Sequence, residues 1–200
     1  SLLFYPVIGL LIGLILFGLS VALIELPAIL LASIVLVIWI WLTGGLHLDG
    51  LADTADAWVG GFGDRERTLQ IMKDPACGPI GVLSLIIVCL LKFTALYVLI
   101  EQHLNAFLIL VPMLGRNVAL FLFLTTTYVR DKGLGRSMTY FLPKAISWVV
   151  FVITLSLLYL FKWYGLVVLI SFLLLLFYLR SLFIKRIGGI EDFETLPILG

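Results

Sequence analysis

Charge is what this chain has least of: 12% of its 200 residues are charged, against 62% hydrophobic. That scarcity excludes a soluble domain, because apolar runs near 20 residues recur and each is long enough to cross a hydrocarbon core of roughly 30 Å. The runs are continuous rather than alternating, which excludes a closed β-barrel. Cysteine is nearly absent. Cys77 and Cys89 stand alone, with neither a CxxC pair nor a histidine at ligand spacing, so no disulfide framework or zinc site is indicated. A formal net charge of +1 says nothing about nucleic acid, and with no basic stripe carrying interleaved aromatics no nucleic-acid partner is expected. Internal repeats, low-complexity linkers and a composition break are also missing, so residues 1–200 read as one integral-membrane domain. The chain opens on Ser1 rather than Met and is apolar from its second residue, which suggests a trimmed N-terminus and leaves the question of a signal peptide open.

What is present is an all-α polytopic membrane protein of about six transmembrane helices in a lipid bilayer. The spans read as 5–24, with Gly9, Gly13 and Gly18 as small residues for close helix contact, then 28–42, 81–100, 106–127, 145–161 and 165–184. Trp39 and Trp41, closing the second run, read as interfacial aromatics. Lys162-Trp-Tyr164 is all that separates the last two spans. The segments after the second, fourth and sixth spans share one side. They carry Arg65, Arg67 and Lys73, then Arg130, Lys132, Arg136 and Lys144, then Lys185 and Arg186, whereas the opposite side holds Lys162 alone. By the positive-inside rule the first side is cytoplasmic.

That same side carries the stretch Thr43-Gly-Gly-Leu-His-Leu-Asp-Gly-Leu-Ala-Asp-Thr-Ala-Asp56. On a helix, Asp49, Asp53 and Asp56 fall at about 0°, 40° and −20°, one narrow face over roughly 10 Å of axis. Like charges so spaced destabilise a bare helix by a few tenths of a kcal/mol per pair. A divalent cation turns the cost into attraction, and acidic oxygen sites suit Mg²⁺, with Mn²⁺ as the alternative. The three aspartates are therefore candidate metal ligands and candidate catalytic groups. His47 points some 160° away from Asp49 on an ideal helix. It is a candidate for acid–base work or for supporting the site from behind.

The cations complete a pattern. Lys92 and Arg116 fall inside predicted spans, where a charge costs at least about 2.5–3.5 kcal/mol, so each is expected to pair or to line a polar pocket for an anionic substrate. Lys73-Asp74-Pro75-Ala-Cys-Gly-Pro-Ile-Gly81 leads into a membrane helix and is expected to set Lys73, backbone N–H groups and a helix N-terminus against a phosphate. Asp64-Arg-Glu-Arg67 reads as the start of a short solvated helix, and Arg130-Asp-Lys-Gly-Leu-Gly-Arg136 as a basic loop able to hold nucleotide phosphates. A metal-binding acidic face ringed by cations suits phosphoryl-group transfer to or from a bulky amphipathic substrate.

The string Gly44-Gly-Leu-His-Leu-Asp-Gly-Leu-Ala-Asp-Thr-Ala-Asp56, with Arg65-Glu-Arg67, Ile71-Met-Lys-Asp74, Gly78-Pro-Ile-Gly-Val82, Leu91-Lys-Phe93, Gly115-Arg116 and Arg130-Asp-Lys-Gly-Leu-Gly135, closely resembles the cobalamin synthase family. Its members are also called adenosylcobinamide-GDP ribazoletransferases. The resemblance implies a Mg²⁺-dependent enzyme of the prokaryotic inner membrane. It would join adenosylcobinamide-GDP to α-ribazole or its 5′-phosphate and release GMP. It assigns Asp49, Asp53 and Asp56 to metal and diphosphate, and Lys73, Arg116 and Arg130 to phosphate charge. It leaves the general base open between a carboxylate and His47, and a homo-oligomer open as well. Gly188-Gly-Ile190 departs from the family's pattern by running into Glu191-Asp192 without the expected Thr-Gly, and a last membrane helix is expected beyond. CDP-alcohol phosphotransferases and membrane prenyltransferases are the competing classes. Asp49-Gly50 lacks the Ala-Arg of the first, and a second aspartate motif as in the other is not found. Transport would call for carboxylates deep within spans and inverted repeats, and neither is visible.

Overall fold

A computed structural model describes residues 2–74, 76–126 and 143–187, and among these every regular element is a helix. After a 3₁₀ turn at Leu2–Phe4 come α1 (Tyr5–Ala22), α2 (Ala28–Leu42), α3 (Leu46–Gly60), α4 (Arg65–Ile71), α5 (Pro79–Glu101) and α6 (Phe107–Thr125). Then follow α7 (Lys144–Ser156), a 3₁₀ segment at Leu157–Phe161, and α8 (Lys162–Ile187). By length and apolar composition, Tyr5–Ala22, Pro79–Glu101, Phe107–Thr125 and the continuous stretch Lys144–Lys185 can cross a membrane, and α2 with α3 adds a fifth candidate if that bent pair is one broken span. The all-α polytopic reading stands on these four or five stretches, and the count of six is not confirmed.

The packing is organised by α6. Helix α1 runs antiparallel against it, and the seam is made by glycine. A Cβ on Gly9 would stand 2.6 Å from Met113 Cα and from the Pro112 carbonyl oxygen, and one on Gly13 would run into the Ile109 backbone. Two backbones this close gain dispersion contact that larger residues forbid. Gly18, expected to do the same, has open space around it. On the other flank the stretch 144–187 folds back along α6. Trp148 and Phe151 meet Phe121, Asn117 Nδ2 donates to Thr154 Oγ1, and Phe161 packs at a tilt against Phe107. The chain then reverses, and α8 returns until Arg180 donates from Nε and Nη2 to the Thr125 carbonyl. The reversal is made by the 3₁₀ segment and Lys162, with φ of 50°, and Gly165 lies tight on the Leu158 carbonyl. No polar linker intervenes, because Lys162-Trp-Tyr164 is already the first turn of α8.

Two apolar cores result. One is built on Met113, Val118, Leu120 and Leu122 of α6 with Phe151, Leu158, Leu176 and Phe183. The other gathers Ile12, Leu16, Leu31, Val35, Trp39, Leu96 and Ile100 with Leu108. Helices α3 and α4 lie at the end of the bundle where α6 terminates. Trp58 of α3 meets Phe183 of α8 edge-to-face at 5.7 Å, which ties the acidic helix to the far side of the fold.

Candidate active site

The site begins where α2 stops. Fifteen residues give α2 about 22 Å, short of the roughly 30 Å hydrocarbon core. Thr43 Oγ1 turns back to the carbonyls of Trp39 and Ile40 at 3.1 and 3.0 Å, and Gly44 and Gly45 take φ of 66° and 70°. Those left-handed values favour glycine, and they swing the chain so that α3 leaves at 85° to α2. Helix α3 then starts at Leu46 with Gly45 as its N-cap, so His47 is helical and Asp49 lies in the first turn, where a negative charge is favoured.

The three aspartates occupy one helix, as their spacing implies, but they do not share one role. Asp56 is committed to α5. Its Oδ2 accepts from Gly78 N–H at 2.7 Å and its Oδ1 from Gly81 N–H at 2.9 Å. These are the N-cap residue and a first-turn residue of a helix that has no cap from its own sequence. A carboxylate from another helix thus fills the anion position at the α5 N-terminus, which the sequence had reserved for a phosphate. The glycines make room for it: a Cβ on Gly78 would stand 2.6 Å from Asp56 Oδ1, and one on Gly81 would overlap Oδ2. Asp49 and Asp53 remain. Among the described residues no hydrogen bond engages either carboxylate, and Asp53 sits in the repulsive field of both Asp49 and Asp56.

Among the described residues no three His, Cys, Asp or Glu side chains converge into a preformed metal cage. The two carboxylates left over, one helical turn apart, fit Mg²⁺ in a more limited way. That ion commonly takes one or two protein carboxylates and completes its shell with water and substrate phosphates. Asp49 and Asp53 would hold it, with Asp56 placing the helix that carries them.

A second cluster lies on the buried side of α3. His47 is 6% exposed, and its ring joins α2 to α5: Nδ1 is 3.2 Å from Thr43 Oγ1 and Nε2 is 3.3 Å from Lys92 Nζ. The Lys92 ammonium also lies 4.8 Å from the centroid of the Trp39 ring, a cation–π contact. Arg116 of α6 is close enough for its charge to act on both His47 and Lys92. The structure therefore brings together His47, Lys92 and Arg116, three residues far apart in sequence. Trp39, expected at the membrane interface, is instead 4% exposed beneath Lys92, and Trp41, at 76%, is the one that faces out.

Other candidates are placed outside these clusters. Asp64 caps α4 by accepting from the N–H groups of Glu66 and Arg67 at 2.8 and 3.3 Å. Lys73 is exposed in the α4–α5 connection, and Asp74 uses Oδ1 to accept from Ala76 N–H. Arg130, Pro75, Lys132, Arg136 and Asp192 lie outside the described residues. Two contributors escaped the sequence reading altogether: Thr43, whose only signal was its place four residues before His47, and Trp39 as a partner for a cation.

Comparisons with known proteins point one way. Residues 1–191 match the family described as Cobalamin-5-phosphate synthase (CobS). A protein of Acinetobacter baumannii (strain ACICU) named adenosylcobinamide-GDP ribazoletransferase is 66% identical over 190 residues, covering 95% of this chain and 77% of that protein. Relatives of the same name from Pseudomonas fluorescens (strain Pf0-1) and Pseudomonas putida (strain GB-1) are 50% and 52% identical over 190 residues, each covering 94% of this chain and 78% of the relative. No solved structure matches the chain.

Proposed function

The chain belongs to the cobalamin-5-phosphate synthase family, and from that premise we propose how its site carries out the transfer. The enzyme is an adenosylcobinamide-GDP ribazoletransferase. It transfers α-ribazole, or its 5′-phosphate, onto adenosylcobinamide-GDP and releases GMP in cobalamin biosynthesis. A ribazole hydroxyl oxygen forms a bond to the phosphorus attached to the cobinamide arm. The bond from that phosphorus to the bridging oxygen breaks, and GMP leaves with the electron pair. The hydroxyl proton passes to a carboxylate.

Asp49 and Asp53 supply the metal ligands, and one of them is the base. His47 is unsuited to that task because its Nε2 lone pair faces the Lys92 ammonium. A bound Mg²⁺ would neutralise diphosphate charge and polarise the reacting phosphorus. Lys92 and Arg116 set fixed positive charge where negative charge builds on the departing nucleotide. Lys73, exposed in the α4–α5 connection, approaches the phosphates from the solvent side. The reaction takes place in the prokaryotic inner membrane with the aspartates facing the cytoplasm, a sidedness that the distribution of basic residues supports. The single observation that carries the site assignment is the division of α3: one carboxylate spent on α5, two left uncommitted.

The test is GMP release by the purified protein in liposomes with adenosylcobinamide-GDP, α-ribazole phosphate and Mg²⁺. Asp53→Asn is expected to lower metal-dependent kcat by about 10²–10³-fold. Undiminished turnover in that variant overturns the metal assignment, and no turnover in the wild type overturns the reaction.

A further inference from the structure

Lys92 raises a question that the reaction alone does not answer: what keeps an ammonium in place between apolar helices without neutralising it? Among the described residues no carboxylate pairs with Lys92 or with Arg116, although each acts on the same histidine. The ammonium has three N–H donors and no lone pair. One donor is directed at His47 Nε2, and the Trp39 ring face takes up a further direction. Neither partner carries charge, so the positive charge stays available.

The hydrogen bonds behind it run in one direction. Because Lys92 can only donate, His47 Nε2 must offer its lone pair, and the ring proton is then on Nδ1. Nδ1–H donates to Thr43 Oγ1, and the Thr43 hydroxyl donates onward to the Trp39 or Ile40 carbonyl. The opposite histidine tautomer would set N–H against the ammonium. Thr43 supports the same tautomer, because its hydroxyl proton is directed at the Trp39 or Ile40 carbonyl, each of which also accepts a backbone N–H, and its oxygen is left to accept from Nδ1–H.

We propose that Trp39, Thr43 and His47 are positioning residues that hold the Lys92 ammonium, together with Arg116, as a metal-independent binding site for a phosphate or diphosphate oxyanion. The assignment of that oxyanion to the nucleotide diphosphate rests on the reaction above, whereas the existence of the site does not.

Binding of inorganic pyrophosphate to the purified full chain in detergent with EDTA, followed by calorimetry, separates the two. Thr43→Val removes the acceptor with little change in volume and is expected to weaken binding by about 10-fold, as for a lost buried hydrogen bond. Thr43→Ser is expected to stay within about 2-fold of wild type, since it keeps the hydroxyl. In turnover, Thr43→Val is expected to raise KM for adenosylcobinamide-GDP and leave KM for the ribazole substrate unchanged. Equal pyrophosphate affinity in wild type and Thr43→Val, or a serine variant as weak as the valine, overturns the proposal. Should Thr43→Val fail to fold, Trp39→Phe tests the same site, with a loss of about 2–5-fold expected from a weaker ring face and an unchanged affinity overturning it. Wild-type protein that turns over substrate but binds no pyrophosphate in EDTA overturns this inference alone. Pyrophosphate binding without turnover overturns the reaction and leaves the site standing.

Discussion

Replacing Asp56 by asparagine should damage the protein before any metal is added. The carboxylate gives each oxygen to a separate α5 amide, Gly78 at 2.7 Å and Gly81 at 2.9 Å. Asparagine keeps one acceptor oxygen and turns an NH₂ toward the other amide. One charge-assisted bond becomes neutral and one is lost, with an N–H left unpaired. Hydrogen bonds to charged groups contribute about 1.5–3 kcal/mol each, so the combined loss is about 2–4 kcal/mol. For a chain of this size each kcal/mol moves Tm by about 2–4 °C, which predicts a drop of about 4–16 °C. The assay is a thermal melt of detergent-solubilised protein in EDTA, followed by circular dichroism. Asp53→Asn provides the opposite sign. Its carboxylate holds no described partner and is repelled by two neighbours, so its metal-free Tm should stay level or rise slightly. If Asp56→Asn leaves the metal-free Tm unchanged and only raises the Mg²⁺ concentration needed for activity, then Asp56 is a metal ligand and the capping argument is wrong.

Two further predictions concern the bundle. Gly13→Ala should cost about 1–3 kcal/mol by forcing α1 off the Ile109 backbone, whereas Gly18→Ala, with open space around it, should be neutral or slightly stabilising in the same melt. Asn117 is fully buried and donates to Thr154 Oγ1 across the α6–α7 contact. A double-mutant cycle with Asn117→Leu and Thr154→Val, read from unfolding in micelles, should show a coupling of about 0.5–1.7 kcal/mol, and additive losses would remove the pair as an interhelical tie.

The helices were legible because the membrane makes them so. The apolar run from Ala28 to Leu42 ends against Thr43-Gly44-Gly45 and is α2 to the residue. Asp64-Arg-Glu-Arg67 reads as the start of a short helix, and α4 starts there, with Asp64 as its cap. The periodic placement of Asp49, Asp53 and Asp56 makes an acidic helix, and one forms. What periodicity cannot supply is which partner a face will meet. Asp56 finds its amides 22 and 25 residues away, and His47 finds Lys92 45 residues away, so neither pairing has a local signature. Trp39 misled for a related reason. An aromatic at the end of an apolar run reads as a membrane-surface anchor, but α2 is short and the next helix folds across its end. Trp39 is therefore covered, and Trp41, two positions on, takes the outer place. Lys162 read as a linker because a lone cation between apolar runs resembles one, when the turn needed only a 3₁₀ segment and one residue at positive φ.

The cap that Asp56 supplies also sets an order of assembly. Chains are made from the N-terminus at about 5–20 residues per second, so α3 emerges about 1–5 s before the glycine amide 25 residues further on that it must hold. Phe183, the partner of Trp58, follows about 125 residues after it, at least several seconds later. Until then the acidic helix is held on its α5 side and not on its α8 side. The segment that carries the reactive carboxylates is made early and seated late, and its contact with α8 forms only after Phe183 has been made.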